Sequence, residues 1–146
     1  MSVSEIATKA RIASRALAQA PRSVKDAAMH AMADALLAHK EAILLANQAD
    51  IANAKSNNAP DHLIDRLSLD ENRLAAIAQA IREVAALPDP VGEVVVGRTL
   101  ANGLQLRQVR VPMGVIAMIY EARPNVTADA AAICIKSGNA VLLRGS

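Results

Sequence analysis

Two short segments carry side chains whose types and spacing could do chemistry: Tyr120-Glu121-Ala122-Arg123-Pro124-Asn125 and Arg144-Gly145-Ser146. They follow the apolar runs Gly114-Val115-Ile116-Ala117-Met118-Ile119-Tyr120 and Ala140-Val141-Leu142-Leu143. Continuous apolar runs of this length suit parallel strands buried on both faces. Open α/β sheets bind ligands beyond the carboxyl ends of such strands, where both segments fall. The first segment leads into a helix, whose N-terminal N–H groups and dipole favour an anion or a developing oxyanion. The second places a cation beside a glycine, which lets the backbone approach a nucleotide ribose or phosphate. Cys134 is a poorer choice. It lies between Ile133 and Ile135 in an apolar helix, with only Lys136 as a basic neighbour, a setting in which free cysteine is buried and inert. His30, His39 and His62 lack metal-ligand spacing and are expected at the surface or in packing. Glu121 suits a structural anchor better than a base, because no matched acid is nearby.

The elements that position these segments follow from periodicity. Val126 to Lys136 is nearly all apolar, with Asn125, Asp129, Ala132 and Lys136 marking a narrow polar stripe at helical spacing. Asp129 is expected in the first turn, Lys136 in the last, and Gly138 as the C-terminal cap. Strand, helix and strand over 112–146 make a βαβ unit, expected to be right-handed. Residues 2 to about 87 are expected to be helical. Ser2-Val3-Ser4-Glu5 has capping-box spacing, and Ile6, Ala10, Ala13 and Leu17 form one apolar face. Pro21 breaks the pattern, Ser23-Val24-Lys25-Asp26 restarts it, and Val24, Ala28, Ala31 and Ala35 form the next stripe, broadened by Leu36 and Leu37. A third helix runs from about Lys40 with Ile43, Leu44, Ala46 and Ile51 inward, and a turn-rich loop covers 56–60. After an ambiguous stretch from Asp61 to Leu67, Ser68-Leu69-Asp70-Glu71 has capping-box spacing before a helix through Leu74, Ile77, Ile81 and Val84. Pro88-Asp89-Pro90 ends it. The period then changes: Glu93–Leu100 and Leu104–Val111 flank Ala101-Asn102-Gly103, a strong hairpin signal. A phase slip between Leu106 and Val109 predicts a bulge or sharp twist.

Composition sets the outer bounds. Hydrophobic residues make up 53% of the chain, yet Phe and Trp are absent and Tyr120 is the single aromatic. The core must be built from Ala, Leu, Ile, Val and Met, which leaves little for base stacking and argues against single-stranded nucleic-acid binding. A net charge of +2 implies no polyanionic partner. A single cysteine excludes an intramolecular disulfide and fits a reducing compartment. Lys9, Arg11 and Arg15 interrupt the start before any signal-peptide apolar region, and no apolar run approaches a membrane span. A cytoplasmic location is expected.

The run VPMGVIAMIYEARPNVTADAAAICIKSGNAVLLRG closely resembles the gamma-glutamyl phosphate reductase family of the aldehyde dehydrogenase superfamily, Tyr120 to Thr127 most specifically. The Ala-rich helical start also looks like that family, whose members are longer, so the chain looks like an N-terminal piece. The resemblance implies an α/β fold: a helical layer over 1–87, a β-hairpin arm over 93–111 and the first βαβ unit of a Rossmann-like sheet over 112–146. Together these would form part of a cofactor-binding domain, without the catalytic domain. It implies NADPH-dependent conversion of L-glutamyl 5-phosphate to L-glutamate 5-semialdehyde in proline biosynthesis. NADPH would lie across the two strand ends, against Tyr120, Glu121, Arg144, Gly145 and Ser146. The absence of a GxGxxG motif agrees with a superfamily that binds the dinucleotide without it. Asn125 matches the amide that helps hold the oxyanion in aldehyde dehydrogenases; the other reading is a helix cap. Arg123 would meet the substrate carboxylate or acyl phosphate, or else be a solvated loop residue. The hairpin would be an oligomerisation arm in a homo-oligomer, or a cover for the helical layer, and glutamate 5-kinase is an implied partner. The family's thiolate attacks the acyl phosphate to give a thioacyl enzyme, and it belongs to the later catalytic domain.

Two functional readings follow: part of a reductase, or a non-catalytic module that associates through its helices and hairpin. A two-stranded parallel sheet is a poor free-standing dinucleotide fold, which keeps the second open. The 146-residue polypeptide alone is expected to give no NADP-dependent turnover of glutamate 5-semialdehyde plus phosphate. A steady rate surviving Cys134→Ser would sink the reading as a piece lacking its catalytic domain. Loss of that rate on the same change would make Cys134 the nucleophile.

Overall fold

A computed structural model describes residues 2–145. Five helices come first: α1 (Val3–Gln19), α2 (Arg22–Ala38), α3 (Lys40–Ser56), α4 (Asp61–Leu67) and α5 (Glu71–Ala86). An antiparallel hairpin of β1 (Val94–Thr99) and β2 (Gln105–Val109) follows, then β3 (Val115–Ile119), α6 (Pro124–Lys136) and β4 (Ala140–Arg144). β3 and β4 pair in parallel, in register from Val115–Ala140 to Ile119–Arg144, which completes the expected βαβ unit. Among the described residues no helix is long and apolar enough to cross a membrane.

Local chemistry explains most boundaries. At α1 the capping box closes fully: the Glu5 N–H donates to Ser2 Oγ at 3.2 Å and the Ser2 N–H to Glu5 Oε2 at 2.9 Å. α2 starts at Arg22, directly after Pro21 and without a side-chain cap, so Ser23 is already helical rather than the restart. The α5 cap is Asp70, accepting from the Arg73 N–H at 2.7 Å. Ser68 instead closes α4, donating to the Ile64 carbonyl at 2.7 Å. α6 begins at Pro124, so Asp129 lies beyond its first turn. Past its end, Gly138 takes φ +73°, and a Cβ there would stand 2.9 Å from Pro112 Cγ, so both conformation and space call for glycine.

The core lies among α2, α5 and α6, centred on Met29, Ala33, Ala78, Ile81, Ala85 and Ala132. α5 turns the expected face inward, with Leu74 and Ile81 buried and Ile77 and Val84 packed against the core. α2 does not. Val24, Ala28, Ala31 and Ala35 are exposed, and the buried face is Lys25, Met29 and Ala33. The α6 stripe holds only at its start: Asn125 is exposed and Asp129 half-buried, but Ala132 and Lys136 turn inward. One cause accounts for both corrections. Lys25 Nζ meets Asp89 Oδ2 at 2.6 Å and the Lys136 carbonyl at 3.2 Å; Lys136 Nζ meets Asp26 Oδ1 and the Ala85 carbonyl, each at 2.7 Å. With carboxylates supplied, the lysine stems can pack as hydrocarbon.

The hairpin carries a bulge between Val94 and Val96, on the first strand rather than the second. Its turn is closed by the Leu100 N–H to the Leu104 carbonyl at 2.8 Å, with Gly103 at φ +85°. Every residue of both strands is exposed, so it stands away from the helical layer instead of covering it. The parallel pair is also less buried than its apolar runs predict: Ile119 is 81% exposed. With two strands, each has an unpaired edge and partly uncovered faces.

The Lys136 hydrogen bond holds the Asp26 carboxyl below its ordinary range, helped by Arg22 and outweighing burial. Burial raises Asp89, but Lys25 and the Val91 N–H more than offset it, so it too is lowered. Their stabilisation is therefore present above the unfolded carboxyl value and lost as pH falls below about 4 through the folded values. Asp89→Ala, which strips buried Lys25 of its carboxylate, is expected to cost about 3–5 kcal/mol in urea denaturation at pH 7. An unchanged midpoint would show that the pair does not hold the layer together.

Candidate functional site

The two strand ends lie side by side, since the Tyr120 N–H donates to the Arg144 carbonyl at 3.1 Å. The Tyr120 and Thr127 hydroxyls share a hydrogen bond of 2.5 Å, fixing the ring over the first turns of α6. Gly145 lies against that ring: a Cβ on it would be 3.5 Å from Tyr120 Cε2. Between β3 and α6 the chain reverses through Ala122 at φ +45°, a left-handed conformation that costs an L-residue about 1–2 kcal/mol. Arg123 then occupies the N-cap position without a capping side-chain bond, and Pro124 fills the first helical position, where no N–H is needed. The Arg123 side chain is left exposed.

Asn125 is not a cap. It is the second residue of α6, and its Nδ2 donates to Asp129 Oδ2 at 3.0 Å. Glu121 is exposed and has no partner among the described residues, so it anchors nothing here. Arg144 is exposed and donates from Nη1 to the Gly145 carbonyl at 2.6 Å. Ser146 lies outside the described residues. Cys134 is 5% exposed, and burial pushes its thiol above the ordinary value, which opposes thiolate formation at neutral pH.

A cleft of about 370 Å³ gathers Tyr120, Arg123 and Gly145 against a wall that the sequence did not reveal, α3 with Asn47 and Asp50. Asn47 is buried and clamps the α4–α5 connection: its Nδ2 donates to the Leu67 carbonyl at 2.8 Å, and its Oδ1 accepts the Leu69 N–H at 2.7 Å. The available signal was an amide interrupting the apolar face of α3 between Ile43 and Ile51. Asn125 faces a separate hollow of about 230 Å³ with Arg66 and Arg73, and Leu69 and Pro124 border both spaces. An apolar cavity of about 550 Å³, lined by Leu36, Leu74, Ala128 and His39 among others, adjoins the cleft through Ile43 and Thr127. The site can thus present a carboxylate, a guanidinium and hydroxyls around a space sized for a small ligand.

No protein-family model matches the chain. It is 59% identical over 96% of its length to a gamma-glutamyl phosphate reductase of Kineococcus radiotolerans, and 58% identical over 99% to one of Thermobifida fusca. It spans 32% and 34% of those proteins, about a third of each. Two crystal structures share its fold. Gamma-glutamyl phosphate reductase of Thermotoga maritima has a TM-score of 0.93 at 39% identity, covering 97% of this chain and 34% of that one. The Saccharomyces cerevisiae protein has a TM-score of 0.95 at 41% identity, covering 100% and 38%. In sequence and in fold alike, the chain is a homologue of about one third of gamma-glutamyl phosphate reductase.

Proposed function

We propose that this chain is the N-terminal part of a cytoplasmic reductase converting L-glutamyl 5-phosphate to L-glutamate 5-semialdehyde with NADPH in proline biosynthesis. The observation that carries this reading is the 58–59% identity to gamma-glutamyl phosphate reductases over nearly the whole chain. The strand ends fit a nucleotide: Arg144 is exposed, and Gly145 beside it adds no side chain between backbone and ligand. Tyr120, Glu121, Arg144, Gly145 and Ser146 are assigned to the cofactor, which when bound supplies the hydride. Asn125 offers an amide donor at the start of α6, suited to an oxygen on which negative charge develops. Arg123 is assigned to an anionic group of the substrate.

Cys134 takes no part, because it is buried away from the cleft with its thiol raised. The nucleophile is assigned to a cysteine of the longer protein. The exposed hairpin, with Val94, Val95, Leu106 and Val109 all open to solvent, supports an association arm in a homo-oligomer. Exposed apolar surface of that kind marks contact sites. By itself the chain then acts as an association module, and glutamate 5-kinase is a proposed partner of the whole enzyme.

In the full-length protein, Arg144→Ala is expected to weaken NADPH binding about 10- to 100-fold, the scale of a charge-assisted contact. NADH should be affected less if the guanidinium meets the 2′-phosphate. Unchanged affinities for both cofactors would remove Arg144 from the nucleotide site.

A further inference from the structure

Asp50 and Arg123 line the same cleft, one on α3 and the other at the start of α6. Both are exposed, and neither enters any ion pair among the described residues, with each other or with a third group. Other carboxylates are engaged: Asp65 with Arg73, Glu71 with Lys40, Asp70 with the Arg73 N–H. Two opposite charges that border one cleft of about 370 Å³ without pairing are complementary to a ligand carrying both signs. The segments that carry them are anchored. Asn47, one turn before Asp50, is fixed by its two bonds to Leu67 and Leu69, and Pro124 with the Tyr120–Thr127 hydrogen bond fixes the segment that holds Arg123.

We propose that this cleft is a subsite for the head group of an α-amino acid, with Asp50 receiving the ammonium and Arg123 the carboxylate. Only the choice of amino acid, glutamate in the form of its 5-phosphate or 5-semialdehyde, rests on the reductase reading above. Asp50 is then a specificity-determining residue. It accepts hydrogen bonds from a primary ammonium and has nothing to offer a ligand that lacks one. Arg123 gives a planar two-donor fork for the carboxylate. The γ-carbon end of such a ligand is left free to extend along α6 toward the hollow that Asn125 faces, since Leu69 and Pro124 border both spaces.

The test uses the full-length protein containing this chain and has two arms. In direct titration, wild type is expected to bind L-glutamate in preference to glutarate. Asp50→Asn should abolish that preference, and Asp50→Glu, which keeps the charge, should retain part of it. In turnover with NADP and phosphate, Asp50→Asn should lower kcat/KM for glutamate 5-semialdehyde about 10- to 100-fold and leave 5-oxopentanoate, which lacks the amine, nearly unchanged. Equal losses for both aldehydes, or no loss for either, would overturn the subsite, as would wild type binding glutarate as well as glutamate. Wild type that turns over neither aldehyde, yet keeps an Asp50-dependent preference for L-glutamate, would support the subsite and remove the reductase reading. Matching far-UV circular dichroism and melting of Asp50→Asn and wild type excludes unfolding as the cause, since Asp50 is exposed.

Discussion

The packing of this chain turns on two ammonium groups held almost out of water. Lys25 and Lys136 are 1% and 4% exposed, and each is closed by one carboxylate and one backbone carbonyl at or near a helix end. A buried cation without its partner is strongly destabilising, so α2, α5, α6 and the loop carrying Asp89 must all be in place together. The Lys136–Asp26 contact joins residues 110 apart in sequence, and Lys25–Asp89 joins residues 64 apart. The helical layer and the βαβ unit are thus joined by these two ion pairs as well as by apolar packing. The lock also sets the direction of α6, and through it the place of Tyr120, Arg123 and Asn125.

Much of the architecture is legible in the sequence because its signals are local. The Ser2–Glu5 box, the Asn102-Gly103 turn and Gly138 each act over a few residues, and each sits where expected. What is not legible depends on partners far along the chain. No helical wheel shows Lys25 facing inward on α2, because the carboxylate that permits it lies beyond the end of α5. The same holds for Ala132 and Lys136 on α6. At the site, the strand-end position of Tyr120, Arg123 and Gly145 follows from the βαβ pattern. The facing wall does not, since Asn47 and Asp50 belong to a helix more than sixty residues earlier. Whether Asn125 caps α6 hinged on a start two residues earlier than its apolar run suggests, with Pro124 in the first position.

The exposed parts obey a different constraint. β3 and β4 have the composition of strands meant for burial, yet Met118, Ile119 and Leu143 are open to solvent. The hairpin adds Val94, Val95, Val96, Leu104 and Val111. Apolar strands with free edges invite pairing or covering. That pattern agrees with a chain spanning about a third of its relatives. The cleft, in contrast, is lined by residues of this segment, and two of them, Asn47 and Tyr120, are held by hydrogen bonds within it.

Tyr120 is the single aromatic residue of the chain and stands in the cleft, its hydroxyl bonded to Thr127 and Gly145 against its ring. All near-ultraviolet absorption and intrinsic fluorescence from side-chain rings in these 146 residues therefore arises at one point, and that point is the candidate site. The segment carries its own optical reporter. Its emission is blind to the core and sensitive to whatever enters between β3, β4 and α3, whereas protein concentration is better followed at the peptide band than at the weak tyrosine one.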